Sequence, residues 1–299
     1  MPARRGRKSP KLPKVTSENY YSIETQLAYM SASQFKSFQR CEAAALAELE
    51  GRYIRPKTAA MLVGSFVDAC FSGELEQFRE QNPEIYKKDG TLRFEFVHAE
   101  EIVNRMARDE LYMMLMSGRK QVILTGKIGT VPYKAKLDCL LDAGTCQKIA
   151  EKFPGARKAL GFCDGAIVDQ KVMASLDDVW SEESWGKIPF ARAWGYDIQG
   201  AIYQVLEGHM LPFILAVGTK EPEPDLAAIY IPDQELAAKL EEVESLSPRY
   251  QAIKRHKIEP VGCGKCPYCR SQKKLTKIID YRELNAHDQS FDLTGPLDT

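Results

Sequence analysis

Apolar residues first recur at helical spacing, then alternate, then return to helical spacing. A helix is predicted from the N-caps offered by Ser31 and Ser33 to about Glu50, where Gly51 ends it. A second, from about Lys57 to Phe71, carries Gly64 and Asp68 on nearby turns. A third covers Ala99 to Met116, with Met106, Met113, Met114 and Met116 read as core filler. The period then changes to two. Gln121 to Lys127 and Val131 to Leu141 predict a hairpin with Gly129 in the turn region. Ala143 to Asp164 reads as an inserted loop with a short helix, and Ala166 to Met173 as the next strand. A helix from Phe190 to Gly208 follows, then strands over Leu211 to Val217 and Leu226 to Ile231. Pro232 and Asp233 open a last long helix that should stop near Leu246, before Pro248, with another helical stretch from Tyr250 to Lys257. There is no internal repeat. This order predicts one α/β domain built on a mixed sheet with helices on both faces.

The chain has 299 residues, enough for a sizeable core, and no apolar run long enough to span a bilayer. Residues 1–18 are expected to be a disordered basic arm, punctuated by Pro2, Pro10 and Pro13 and lacking the apolar centre of an export signal. Residues 19–285 would form the domain and 286–299 a flexible acidic tail. Lys and Arg total 41 against 41 Asp and Glu, so contact with nucleic acid must come from local patches. One such patch is Lys254, Arg255, Lys257, Lys265, Arg270, Lys273, Lys274 and Lys277, interrupted by one acid, Glu259. Without an export signal, the eight cysteines point to a reducing, cytoplasmic setting with no disulfides. Cys70, Cys139, Cys146 and Cys163 lie in apolar or mixed surroundings and read as small buried hydrophobes.

Candidate chemistry gathers in four pieces: Gly64 to Asp68, Lys134 to Asp138, Asp169-Gln-Lys171, and Gln199 to Tyr203. Asp138 and Asp169 stand on neighbouring predicted strands among leucine, isoleucine and valine, where an unpaired charge is costly. Two such carboxylates can share a hard cation. Lys171 falls on the same strand face as Asp169, near an attacking water and a scissile phosphate. The other reading of these three residues is a structural salt bridge.

These pieces resemble the PD-(D/E)XK nuclease superfamily, in its RecB-like and exonuclease VIII (RecE)-like branch of phage and prophage exonucleases. The likeness includes Ser31-Ala-Ser-Gln-Phe-Lys-Ser-Phe-Gln-Arg-Cys41 and Cys263-Gly-Lys-Cys-Pro-Tyr-Cys269, and runs from Ser31 to Leu275. It implies a restriction-endonuclease-like fold with a helical N-terminal region and a cysteine-rich C-terminal segment. Asp138, Asp169 and the Gln170 carbonyl would hold Mg²⁺ or Mn²⁺, with Asp68 where RecB-like members usually have His. Lys171 would orient or activate water. Gln199 and Tyr203 would touch DNA or support the site. Apart from the resemblance, the basic residues around the late cysteines, Lys273 and Lys274 among them, are placed to hold a phosphate backbone or form a solvated basic face. The long gap between Asp138 and Asp169 is attributed to the insertion around Cys146 to Cys163.

Cys263, Cys266 and Cys269 have ferredoxin-like C-x₂-C-x₂-C spacing and need a fourth ligand, which Cys41 supplies if the first helix packs near the C-terminal segment. RecB-like nucleases with iron–sulfur clusters share this plan of one early and three late cysteines. A structural [4Fe–4S] cluster is expected, with Zn²⁺ as the alternative. By resemblance, the activity is a Mg²⁺-dependent exonuclease acting on double-strand DNA ends, exposing single strands for an annealing partner. The alternatives are a non-catalytic DNA-binding module and a restriction-type or CRISPR-adaptation endonuclease. No membrane association is expected; an oligomer would suit processive action.

Overall fold

The computed structural model describes residues 12–182, 184–276, 278, 280 and 281. The first eleven residues of the expected arm, the expected acidic tail and Lys277 lie outside them. Within residues 12–18, Pro13 and Lys14 meet the body of the molecule: their carbonyls accept hydrogen bonds from Tyr29 and Asn19 at 2.9 Å each.

Seven helices come first: α1 (Ile23–Ala28), α2 (Ala32–Arg40), α3 (Glu42–Leu49), α4 (Ala59–Ser72), α5 (Leu75–Gln81), α6 (Phe94–Ala107) and α7 (Glu110–Leu115). The hairpin β1 (Arg119–Ile128) and β2 (Val131–Asp142) follows, then α8 (Ala143–Lys152), α9 (Arg157–Leu160) and β3 (Gly165–Met173). A small hairpin, β4 (Val179–Ser181) and β5 (Gly186–Ile188), leads to α10 (Phe190–Ala193) and α11 (Tyr196–Glu207). The chain closes with β6 (Phe213–Thr219), β7 (Leu226–Ile231), α12 (Asp233–Lys254) and α13 (Pro267–Gln272). The main sheet has the order β1-β2-β3-β6-β7, antiparallel except for the parallel pair β3 and β6. Parallel neighbours need a crossover, here the β4–β5 hairpin with α10 and α11. One apolar core lies between the sheet and α2, α11 and α12; the other lies between the opposite face and α4, α6, α7 and α8. β6, covered on both sides, is buried at all seven positions.

The expected mixed α/β layers are present, with corrections to their boundaries. The predicted helix from Ser31 to Glu50 is two helices, broken at Cys41, whose extended backbone (φ −167°, ψ 107°) ends α2 and caps α3. The segment expected from Ala99 to Met116 begins at Phe94 and breaks at Arg108, where Asp109 caps α7. Met106 and Met116 fill core as expected, whereas Met113 is exposed. Pro248 does not end α12. Val243, Ser247, Tyr250 and Lys254 form one buried stripe across it, and that packing outweighs the lost backbone bond. Cys139 and Cys146 are buried as expected, while Cys70 and Cys163 are half-buried. Gly200 lets α11 lie close on the sheet: a Cβ there would stand 2.5 Å from Phe213 Cδ1.

Candidate active site and cysteine group

The carboxylates sit where two strands part. β2 and β3 pair only from Cys139↔Val168 to Asp142↔Gly165. Asp138 and Asp169 are the first residues beyond that pairing. Side-chain alternation on β2 also slips there. Tyr133, Ala135 and Leu137 face one core, whereas Cys139 and Leu141 face the other. Opposite the slip, Gln121 adopts a positive φ of 51° and drops out of the β1–β2 ladder between Lys120↔Cys139 and Val122↔Leu137. Such irregularities re-aim a side chain. Asp138 Oδ2 turns to accept the Gln170 N–H at 2.9 Å, a donor that the parting strands leave without a backbone acceptor on β2.

Lys171 forms an ion pair with Asp169 Oδ2 and donates to the Gln170 carbonyl at 3.0 Å. Gln199 fixes the other oxygen: its Nε2 donates to Asp169 Oδ1 at 2.7 Å and to Tyr203 Oη at 3.0 Å. Tyr203 Oη donates to the Lys136 carbonyl at 3.3 Å. Gln199 and Tyr203, four apart on α11, are both buried. Of the two roles expected for them, this position supports Asp169 from behind.

Burial pushes the Asp138 carboxyl well above its usual range, and the charges of Asp169 and Asp68 add to that, against Lys171 and the Gln170 N–H. Burial pulls Lys171 down, but Asp169 and Asp138 outweigh it and leave the ammonium above the usual lysine range. Asp68, on α4, is raised by burial and by Asp169, and lowered by Lys136 and Lys171, so it shares the field of the pair.

The donor set suits a hard divalent cation: carboxylate oxygens of Asp138 and Asp169, with Asp68 nearby, and the Gln170 carbonyl. Asp169 Oδ2 is buried with no hydrogen bond besides its ion pair, and Tyr112 Oη, close enough to feel Asp138 and Asp68, also lacks a protein partner. The unpartnered Tyr112 Oη, and the mutual repulsion that raises Asp138, fit a bound cation with its water shell.

Sequence reasoning missed Lys36. It projects from α2, its Nζ 3.3 Å from the Trp194 carbonyl and 3.4 Å from Gln199 Oε1. Lys36 and Lys171 both lie over the Tyr196 ring, each 5.4 Å from its centre. Burial first, then the Lys171 charge, pull Lys36 down to about 8, against Asp169. Lys254 corrects the expected basic patch. It is buried and donates to the carbonyls of Gln26 (2.8 Å) and Tyr29 (2.6 Å) and to Gln34 Oε1 (2.9 Å), anchoring the N-terminal segment. Lys273 and Lys274 lie exposed beyond α13, beside the cysteines.

At that end, the sulfurs of Cys41, Cys263, Cys266 and Cys269 all lie within 4.8 Å of one another. Backbone N–H groups point at three of them: Cys263 to Cys41 Sγ (3.4 Å), Cys266 to Cys263 Sγ (3.3 Å) and Cys269 to Cys266 Sγ (3.4 Å). Burial raises Cys263, but the N–H groups of Cys266 and Lys265 outweigh it and pull the thiol down to about 7. Burial drives Cys269 up to about 12. Four thiols gathered this way can hold a metal ion. Tetrahedral zinc with Zn–S bonds of about 2.3 Å would bring sulfurs to roughly this spacing, whereas a [4Fe–4S] cubane would need them to move apart.

Sheet order and the position of the carboxylates define a PD-(D/E)XK nuclease-like domain. The chain belongs to the family described as "PDDEXK-like domain of unknown function (DUF3799)", which matches residues 31–147 and 161–272. The gap between those two stretches, residues 148–160, falls between β2 and β3. The chain is also similar to a crystal structure from Eubacterium rectale described as a "putative exonuclease". The two share 40% identity and a TM-score of 0.80, over 92% of this chain and 99% of that one. No curated protein matches. Among the described residues no helix is long and apolar enough to cross a membrane.

Proposed function

We propose that the protein is a Mg²⁺-dependent deoxyribonuclease (Mn²⁺ substituting) that hydrolyses phosphodiester bonds from double-strand DNA ends. The observation that carries this reading is the placing of Asp138 and Asp169 at the parting of β2 and β3, with Lys171 on the Asp169 face. Asp138, Asp169 and the Gln170 carbonyl would hold the cation, with Asp68 completing the acidic wall. The cation supplies Lewis-acid polarisation of the phosphate and a water of lowered pKa. Lys171 would orient the attacking water by donating from its ammonium, while Gln199 and Tyr203 keep Asp169 in one rotamer. The domain is assigned to residues 19–285, with the cysteines joining its two ends. The exposed single strand would pass to an annealing protein, as in phage-type recombination, and an oligomer would keep the enzyme on its substrate.

The test is digestion of end-labelled linear and covalently closed circular DNA with Mg²⁺, with and without EDTA. Loss of label from linear DNA with intact circles is expected. Cutting of both forms would make it an endonuclease of restriction or CRISPR-adaptation type. No metal-dependent cutting of either would leave a DNA-binding module on a nuclease fold.

Asp68→Ala is expected to raise the Mg²⁺ concentration needed for half-maximal cleavage several-fold while leaving DNA affinity within about twofold, because it removes one anionic oxygen from the cation's surroundings. A metal titration that does not move would exclude Asp68 from the cation's ligands.

A further inference from the structure

Two of the lysines near the carboxylates, Lys171 and Lys36, differ in their counter-charges. Lys171 is paired with Asp169. Lys36 has only neutral acceptors at long range, the Trp194 carbonyl and Gln199 Oε1. Among the described residues, no carboxylate lies within ion-pair distance of Lys36. One helical turn on, Arg40 repeats the pattern. Its Nε donates to the Lys36 carbonyl at 3.2 Å, and the neighbouring acid, Glu48, is taken by Arg55 at 2.7 Å. The inner face of α2 is fixed in the core by Ala32, Phe35 and Phe38, so positions 36 and 40 share its outward side.

A pair of carboxylates repels a polyanionic substrate until cations offset it. Lys171 is already engaged with Asp169, and α2 adds two cations to Lys120 and Lys136, which lie in the field of Asp68. A lysine is a compact point charge and an arginine a planar two-pronged donor, and both suit phosphate oxygens. The rise between them along the helix is about 6 Å, so they form a short track away from the carboxylates.

We propose that Lys36 and Arg40 hold phosphates of the strand being cut, Lys36 beside the scissile group and Arg40 one step further along the backbone. This rests on the nuclease reading above. Lys36 links the track to the catalytic carboxylate: a phosphate drawn onto Nζ would sit against Gln199, whose amide fixes Asp169.

The test is the affinity of a fluorescein-labelled DNA duplex, followed by anisotropy across a NaCl series with Ca²⁺ in place of Mg²⁺. Each lost phosphate contact should lower the steepness of log K against log salt by about 0.9. Lys36→Met and Arg40→Met are each expected to weaken binding several-fold at low salt and to flatten the slope by about that amount. Lys36→Arg should restore the slope. In Mg²⁺, Lys36→Met should raise KM more than it lowers kcat. Unchanged affinity and slope in both Met variants, with parent-like melting temperatures, would overturn the proposal. Should the parent bind DNA and never cut it, the nuclease reading fails while the slopes still judge the α2 cations. A parent that does not bind DNA sinks both.

Discussion

Asp169→Asn is expected to lower the cleavage rate by at least about 100-fold, the scale of a lost transition-state electrostatic group. The substitution keeps volume and shape. Asparagine Oδ1 can still accept the Gln199 Nε2–H bond that Asp169 Oδ1 takes at 2.7 Å, so α11 and its Tyr203 partner have no reason to shift. What disappears is the charge on Oδ2, the atom paired with Lys171. Lys171 keeps the Asp138 charge nearby, which limits the cost to folding. Asp138→Asn and Lys171→Ala should be equally damaging to the rate. A second readout separates lost chemistry from lost fold. Asp169 is one of the charges that raise Asp138, so its removal lets the Asp138 carboxyl ionise at lower pH. The residual cation affinity of Asp169→Asn, although weaker, should therefore begin to rise with pH earlier than in the parent. Cleavage close to the parent rate would refute the assignment of Asp169.

Cys41→Ser is expected to strip the metal from the cysteine group and lower the melting temperature by about 10 °C. Cys41 and Cys263 join chain segments more than two hundred residues apart. A cross-link over so long a loop is worth about 4 kcal/mol or more of chain entropy, and in a domain of this size each kcal/mol moves Tm by about 2–4 °C. Serine makes the test clean. Cys41 Sγ caps α3 by accepting the Ala44 N–H at 3.5 Å, and serine is a preferred residue for that role. Any fall in stability therefore reports the lost metal rather than the lost cap. Cys146→Ser, away from the group, serves as the control for thiol removal. Purification without oxygen, followed by assays for iron, sulfide and zinc, identifies the metal. Brown protein with iron and sulfide assigns a [4Fe–4S] cluster, and colourless protein with one zinc assigns the tetrahedral ion. Metal-free parent protein, with an unchanged melting temperature in Cys41→Ser, would remove the clip altogether.

Much of this was legible in the sequence because strands announce themselves by short apolar runs. The expected strand Ala166–Met173 differs from β3 by one residue, and Leu226–Ile231 coincides with β7. Asp138 and Asp169 stood out as charges within those runs. The helix breaks at Cys41 and Arg108 did not, because apolar spacing continues through each break while only the backbone turns. Pro248 misled for the opposite reason: a local rule predicted a stop, and a buried stripe carried the helix on. Lys36 was illegible because its importance lies in proximity to Lys171 and Gln199, which are distant in sequence. Lys254 looked like surface charge, since nothing local shows that its ammonium is caged by three oxygens.

The break at Cys41 places one thiol of the cysteine group directly at the end of α2. A nine-residue helix capped by Ser31 carries Lys36 to Gln199 and is followed at once by Cys41 of the cysteine group. Five positions along the chain, about one and a half helical turns, separate Lys36 from Cys41. A segment that short has no internal joint at which one end can fray while the other holds. Amides of α2 should therefore exchange with solvent in a single opening event that releases both the cysteine clasp and the floor beneath Gln199.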